Sequence, residues 1–282
     1  MANLQLGFHG TFQFKKEEIA KIIHTATEEN GLNDTIKNLM VRTGFGNAKI
    51  TPLKSWATHA GLLKNNQLTP EGNLIYKLDP YLQSFNTDWL MHFYFSFGDQ
   101  GLNKVPNKSY EWGGWTYFVY DFIPNNLSFS TEYLHRNIAS IFSEESSKSI
   151  KDNFSKVLKT YTESHGLKTI QFIQKIKDAQ TKIITYQTGE SIPPNIYLIG
   201  YFLARLWERD FEQETSVLTD EILYHKMGLT QVLGITSDTL QDHLNQLESL
   251  GIIEQRRTVA PYQTIRRWDA PLILLEKAYV NQ

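Results

Sequence analysis

The chain has 282 residues, no cysteine and a formal net charge of -2 at pH 7. With 41% hydrophobic and 21% charged residues it can bury a sizeable core, divided over two or three domains. The lack of cysteine excludes disulfides, thiolate metal sites and cysteine nucleophiles, and the near-neutral charge confines any nucleic-acid contact to a local patch.

Residues 1–14 lack the charged start and continuous apolar run of a signal peptide, and no segment approaches the roughly 20 apolar residues of a membrane span. A cytoplasmic location is expected. Lys16 to Glu29 places Ile19, Ile22, Ile23 and Ala26 at helical spacing, with Gly31 as the stop. Asp34 suits the N-cap of a second helix through Ile36, Leu39 and Met40, ending at Gly44-Phe45-Gly46. A third helix is predicted to begin at Thr51 as cap and Pro52 as first helical residue, with Leu53, Trp56, Ala57 and Ala60 inward. Gln67 to Gly72 follows as a strand and turn, forming a short wing or leading into the next helix.

No carboxylate lies between Asp34 and Glu71, whereas Lys37, Arg42, Lys49, Lys54 and Lys64 do. A field of one sign inside a slightly acidic chain is where a polyanion would be drawn. The expected DNA-binding residues here are Arg42, Lys49 and Lys54 as phosphate positioners, with Asn47, Thr51, Ser55 and Thr58 on the outer face and Ser55 and Thr58 reaching base edges. The plainer reading of the same face is a solvated surface.

Asp79-Pro80 opens an aromatic-rich segment from Trp89 to Phe122, read as core, with a stacking platform for unpaired bases as the sharper alternative. A polar loop is expected from Gly98 to Gly114, and a helix with lysines over Lys148 to Tyr161. Pro193-Pro194 starts an internal helix through Trp207, followed by the acids Glu208, Asp210, Glu212 and Glu214. From Leu218 two helices precede Gly234, and Thr236 or Ser237 caps a third with Leu240, Leu244 and Leu247 inward. A hairpin with strands Glu254 to Val259 and Thr264 to Trp268 completes a second winged helix. Its third helix carries Asp238, Asp242 and Glu248 without Lys or Arg, so DNA contact there would fall to Arg256, Arg257, Arg266 and Arg267 on the wing. An acidic helix face also suits protein contact or a homodimer, and a dimer predicts a twofold DNA site.

The expected fold is therefore mainly α. Amino-terminal and carboxyl-terminal winged-helix (helix-turn-helix) modules, 1–78 and 191–282, flank an aromatic-rich helical middle domain, 79–190. The acid run Glu208 to Glu214 reads first as a solvated helix end, and the eight histidines are dispersed without the i,i+4 spacing of a zinc helix. Phosphate-binding and dinucleotide fingerprints are missing, so neither catalytic residues nor a cofactor can be named from motifs. A divalent metal enters only if the protein nicks DNA.

Phe8-His9-Gly10-Thr11-Phe12, Gly44-Phe45-Gly46-Asn47 leading to Leu53-Lys54-Ser55-Trp56-Ala57, Leu68-Thr69-Pro70, Asp79-Pro80-Tyr81-Leu82 and Trp89-Leu90-Met91-His92 occur in this order. Together with Ser149-Ile150-Lys151-Asp152 through Leu158-Lys159-Thr160-Tyr161, they resemble a domain-of-unknown-function family that includes the SspB proteins of the single-strand DNA phosphorothioation (Ssp) defence system. The resemblance spans most of the chain. It implies double-stranded DNA binding and nicking, antiviral defence, and partnership with a cysteine desulfurase, an ATPase and a sulfonucleotide-reductase-like protein. The family's Lys-Asn pair at the third helix stands here as Asn47-Ala48, and its basic residue after the first aromatic motif is Lys15 rather than Arg. Two other readings stay open: a non-catalytic winged-helix transcriptional regulator, and a protein-assembly subunit.

Overall fold

The computed structural model describes residues 3–5, 7–98, 101–189 and 191–280. Asp99 and Gln100 of the expected polar loop, and Glu190 at the expected boundary, lie outside the described residues. The chain is mainly helical, with small antiparallel sheets set between the helices.

Helix α1 (Lys16–Thr27) buries Ile19, Ile22 and Ile23, and Gly31 turns the chain at φ 51. The cap of α2 (Ile36–Thr43) is Thr35, whose hydroxyl accepts from the Asn38 amide at 3.3 Å. Asp34, the expected cap, instead accepts from the Thr35 amide and the Asn38 side chain at 2.7 and 2.8 Å. Gly44 ends α2 in the left-handed region at φ 72, as a C′ glycine does. Helix α3 (Asn47–His59) begins four residues before the expected Thr51 cap, with Gly46 as N-cap and Pro52 inside the helix. Burial of Ile50 beside Leu53, Trp56 and Ala57 extends the apolar face backwards and outweighs the amide that Pro52 lacks. Strands β1 (Leu63–Lys64) and β2 (Gln67–Leu68) form a hairpin through Asn65 and Asn66, both at positive φ, as a type I′ turn requires. Thr69 then caps α4 (Pro70–Leu78).

Helix α5 (Phe85–Phe95) is buried on nearly every side. Short α6 (Gly114–Tyr117), β3 (Ser128–Phe129), α7 (Thr131–Ile141) and α8 (Ser147–Thr162) follow, then β4 (Ile173–Lys177) and β5 (Ile184–Thr188). The middle segment is thus not wholly helical: β3, β5 and β4 form an antiparallel sheet in that order. Trp89, Phe93, Phe95, Phe97, Trp115, Phe118 and Phe122 are all buried, so these aromatic rings form core and offer no stacking platform.

Asn195 caps α9 (Ile196–Asp210), after which come β6 (Ser216–Leu218), α10 (Thr219–Leu223), α11 (Leu229–Leu233) and α12 (Ser237–Ser249). Gly234 closes α11 at φ 65 and Thr236 caps α12 through the Thr239 amide at 3.2 Å. Strands β7 (Ile253–Arg256) and β8 (Gln263–Arg266) are shorter than expected, and β6 completes their sheet in the order β6-β8-β7. Helix α13 (Pro271–Val280), which the sequence reading did not anticipate, packs on α9.

One apolar cluster runs from Leu4 to Ala278. Buried polar contacts stitch distant segments into it. Asn86 donates to the Ala278 carbonyl at 2.7 Å and the Trp89 indole to the Ile192 carbonyl at 3.0 Å. The Trp115 indole donates to the Tyr161 hydroxyl at 3.0 Å, which lies 2.8 Å from His92 Nδ1, while His92 Nε2 lies 2.7 Å from the Val232 carbonyl. Only one proton arrangement satisfies every partner of a neutral ring: Nε2–H donates to Val232, and Nδ1 accepts from Tyr161. Burial holds that ring neutral, lowering His92 to about 4. Among the described residues, no helix is long and apolar enough to cross a membrane.

Candidate nucleic-acid interface

The acid-free stretch is not an acid-free surface. Helix α1 packs across α2 and α3 and brings its carboxylates to their cations. Arg42 is held on all sides: Nε donates to Glu28 at 2.6 Å, Nη1 to the Gly31 carbonyl at 2.8 Å and to Asp34 at 3.2 Å, and Nη2 to the Thr25 carbonyl at 2.9 Å. It therefore ties the end of α1 to α2, at a position where a phosphate contact is expected. Lys49 meets Glu18 at 2.5 Å over the rings of Phe12 and Phe45. Lys54 donates to the Leu32 carbonyl at 3.3 Å, and burial pushes its ammonium below the usual lysine range.

The polar residues of the same helix divide. Asn47, Thr51 and Thr58 are exposed, although the Thr58 hydroxyl is spent on the Lys54 carbonyl at 2.9 Å. Ser55 is half-buried. Beside α3, helix α2 turns Ile36, Met40 and Val41 outward, Val41 being 80% exposed. The substitution Arg42→Met is expected to lower the melting temperature by about 2–4 °C and to leave the salt dependence of DNA binding unchanged; thermal unfolding and a salt titration check the two halves.

The carboxyl-terminal arginines are arranged differently. Arg256, Arg266 and Arg267 line an open cleft with Thr215, Ser216 and Trp268. Strand β8 sits centrally in its sheet, so Arg266 is placed by its amide bond to the Thr215 carbonyl at 3.0 Å and by register opposite Ile253. Glu254 accepts from Arg256 at 3.3 Å and also pairs with Arg267, and those two hydrogen bonds hold its carboxyl below the usual range. The Arg256 and Arg267 side chains remain 65% and 49% exposed. Exposed pairs of this kind are weak, so a phosphate can take the place of the carboxylate. Arg257 reaches back to Asn245 and Glu248 at 2.6 and 2.9 Å, which consumes the acid nearest the hairpin on α12. Asp238 and Asp242 stay exposed on α12.

Thr215 and Ser216 escaped the sequence reading because β6 was not foreseen. The alternate β-branched residues Thr215, Val217 and Thr219 after the acidic cluster were its signal. Asp210 of that acid cluster is half-buried and accepts from Arg209 at 2.7 and 2.8 Å, and Glu208 pairs with Arg205 at 2.6 Å. Among the described residues no group of three or more His, Asp or Glu is placed to hold a metal ion.

The family described as "Protein of unknown function (DUF4007)" matches residues 7–267. No curated protein matches the chain. Two solved structures share the fold. "Magnesium ion-bound SspB crystal structure" aligns with a TM-score of 0.73 at 14% identity over 98% of this chain and 88% of that one. "SspB crystal structure" aligns with a TM-score of 0.70, again at 14% identity and over the same shares.

Proposed function

This chain belongs to the DUF4007 family, and from that membership we propose that it is a DNA-binding component of a bacterial DNA phosphorothioate modification and phage-defence system, with a nicking activity on one strand. The fold shared with SspB supports the assignment to such a system. The observation that carries DNA binding is the open cleft with Arg256, Arg266 and Arg267 on its walls.

In this reading α10, α11, α12 and the β6-β8-β7 sheet make a winged helix, with the β7–β8 hairpin as its wing. The exposed Asp238 and Asp242 repel phosphates from α12, so the wing makes the backbone contacts and arginine forks suit phosphate oxygens. Helices α1 to α3 with the β1–β2 hairpin make the amino-terminal counterpart, in a chain divided at 78/79 and 190/191. A cysteine desulfurase, an ATPase and a sulfonucleotide-reductase-like protein are the partners of the same system, in the cytoplasm. The exposed Ile36, Met40 and Val41 on α2 favour protein contact there, which is the assembly-subunit reading applied to the amino-terminal module.

The test is purified protein with supercoiled plasmid and with labelled duplex. Binding is expected to weaken linearly in log affinity with log salt. Open-circle product is expected with Mg²⁺ or Mn²⁺ and none with EDTA. Tight binding without product under any metal favours the regulator, and no binding at all overturns the proposal.

A further inference from the structure

A group of cations left without carboxylates lies in the middle segment, outside both winged-helix modules. Lys168, Lys175, Lys177 and Lys182 are all exposed, and among the described residues none of them forms an ion pair. Three of them sit on the β4–β5 hairpin. The fourth, Lys168, shares a polar cleft with Lys175, Thr162, Ser164 and Gln171. The carboxylate within the hairpin, Asp178, is turned inward on its own turn, accepting from the Thr181 amide at 2.6 Å, the Gln180 amide at 2.9 Å and the Thr181 hydroxyl at 2.8 Å.

The hairpin also projects. Strand β3 pairs with β5 only at Ser128↔Gln187 and Phe129↔Tyr186, so beyond Lys175 the segments Ile176 to Lys177 and Ile184 to Thr185 continue outward as a two-stranded ribbon. Lys175 and Lys177, two residues apart, share one face. Ile176, Ile183 and Ile184 are 39%, 58% and 36% exposed along the ribbon.

Lysines on an edge strand commonly block sheet-to-sheet pairing, and β4 is an edge. That accounts for Lys175 and Lys177. It accounts neither for Lys168, which lies in a 3-10 turn off the sheet, nor for Lys182 in the hairpin loop, nor for isoleucines left in water.

We propose that the β4–β5 ribbon is a second DNA contact, inserted in the major groove of duplex DNA with Lys168, Lys175, Lys177 and Lys182 on the flanking phosphates. A two-stranded ribbon fits that groove, and exposed isoleucines suit thymine methyl groups. The four lysines, none of them in an ion pair although Lys182 donates to the Ala179 carbonyl at 2.7 Å, give the charge complementarity. This inference rests on the DNA-binding reading above and adds a surface to it.

The test is the variant Lys168→Gln/Lys175→Gln/Lys177→Gln/Lys182→Gln, measured by anisotropy with a short duplex over a range of salt. Its circular dichroism melt should match the wild type, since all four side chains are exposed. The salt slope should flatten by about 0.9, and the affinity at 0.1 M salt fall about eightfold, for each lysine that leaves a phosphate, equally on unrelated sequences. Lysine acetylation of the wild type should be slowed by the duplex at these four positions. Wild-type binding with an unchanged slope in the variant overturns the ribbon and leaves the general reading intact. A wild type that does not bind duplex overturns both.

Discussion

Replacing Arg256, Arg266 and Arg267 together by Glu is expected to weaken duplex binding about a hundredfold or more at 0.1 M salt, because three phosphate contacts and their released counterions are lost. The fold should survive, since the side chains lie on an exposed hairpin whose buried residues, Ile253, Thr264 and Ile265, are untouched. Glu254→Gln is the matching gain. It frees Arg256 and Arg267 from their shared carboxylate and should raise affinity and steepen the salt slope. Lys49→Gln with Lys54→Gln is the control. Those cations are already turned to Glu18 and to the Leu32 carbonyl, so their loss should leave the slope nearly unchanged. Salt titrations of the three variants against the wild type separate a hairpin interface from an α3 interface.

His92→Leu is expected to cost about 3 kcal/mol, since the Tyr161 hydroxyl and the Val232 carbonyl both lose their partner inside the core. Its pH dependence is equally diagnostic. Burial lowers His92 and His9 to about 4, below the ordinary 6.5, so the unfolded chain binds more protons between those values and stability falls on acidification. Asp88 acts the other way. Burial raises its carboxyl to about 6 despite the Lys16 ammonium at 2.7 Å, so the folded chain holds an extra proton below that value and gains stability as the pH drops. Two histidines outweigh one carboxylate, with a net loss of about 3 kcal/mol from pH 7 to pH 4. His92→Leu should make the dependence shallower by one proton, about 1.4 kcal/mol per pH unit inside the window. Urea midpoints across that range check both statements.

Local signals in the sequence were legible where chemistry acts within one turn of chain. Gly44 and Gly234 stop α2 and α11 as their left-handed geometry demands, and Thr236 caps α12. The start of α3 was misread because Thr51-Pro52 is a strong local cap pattern, whereas the helix is extended by the packing of Ile50 in the core. The ion pairs of the acid-free stretch were hidden for the same kind of reason. Glu18 and Glu28 stand at least fourteen residues before the cations they neutralise, and only the packing of α1 on α2 and α3 brings them there. The β-branched Ile183-Ile184-Thr185 carried part of the β4–β5 hairpin, but Ile173-Gln174-Lys175-Ile176-Lys177 does not alternate and a turn without glycine hid the rest. Pro271 followed by Leu272, Leu274, Leu275 and Ala278 likewise carried α13.

Amide hydrogen exchange of the protein with and without a short duplex tests most directly where DNA is held. Slowed exchange over β7, β8 and the β4–β5 ribbon, with α3 unchanged, is the predicted result. Slowed exchange confined to the exposed face of α3, with both hairpins unchanged, would contradict it.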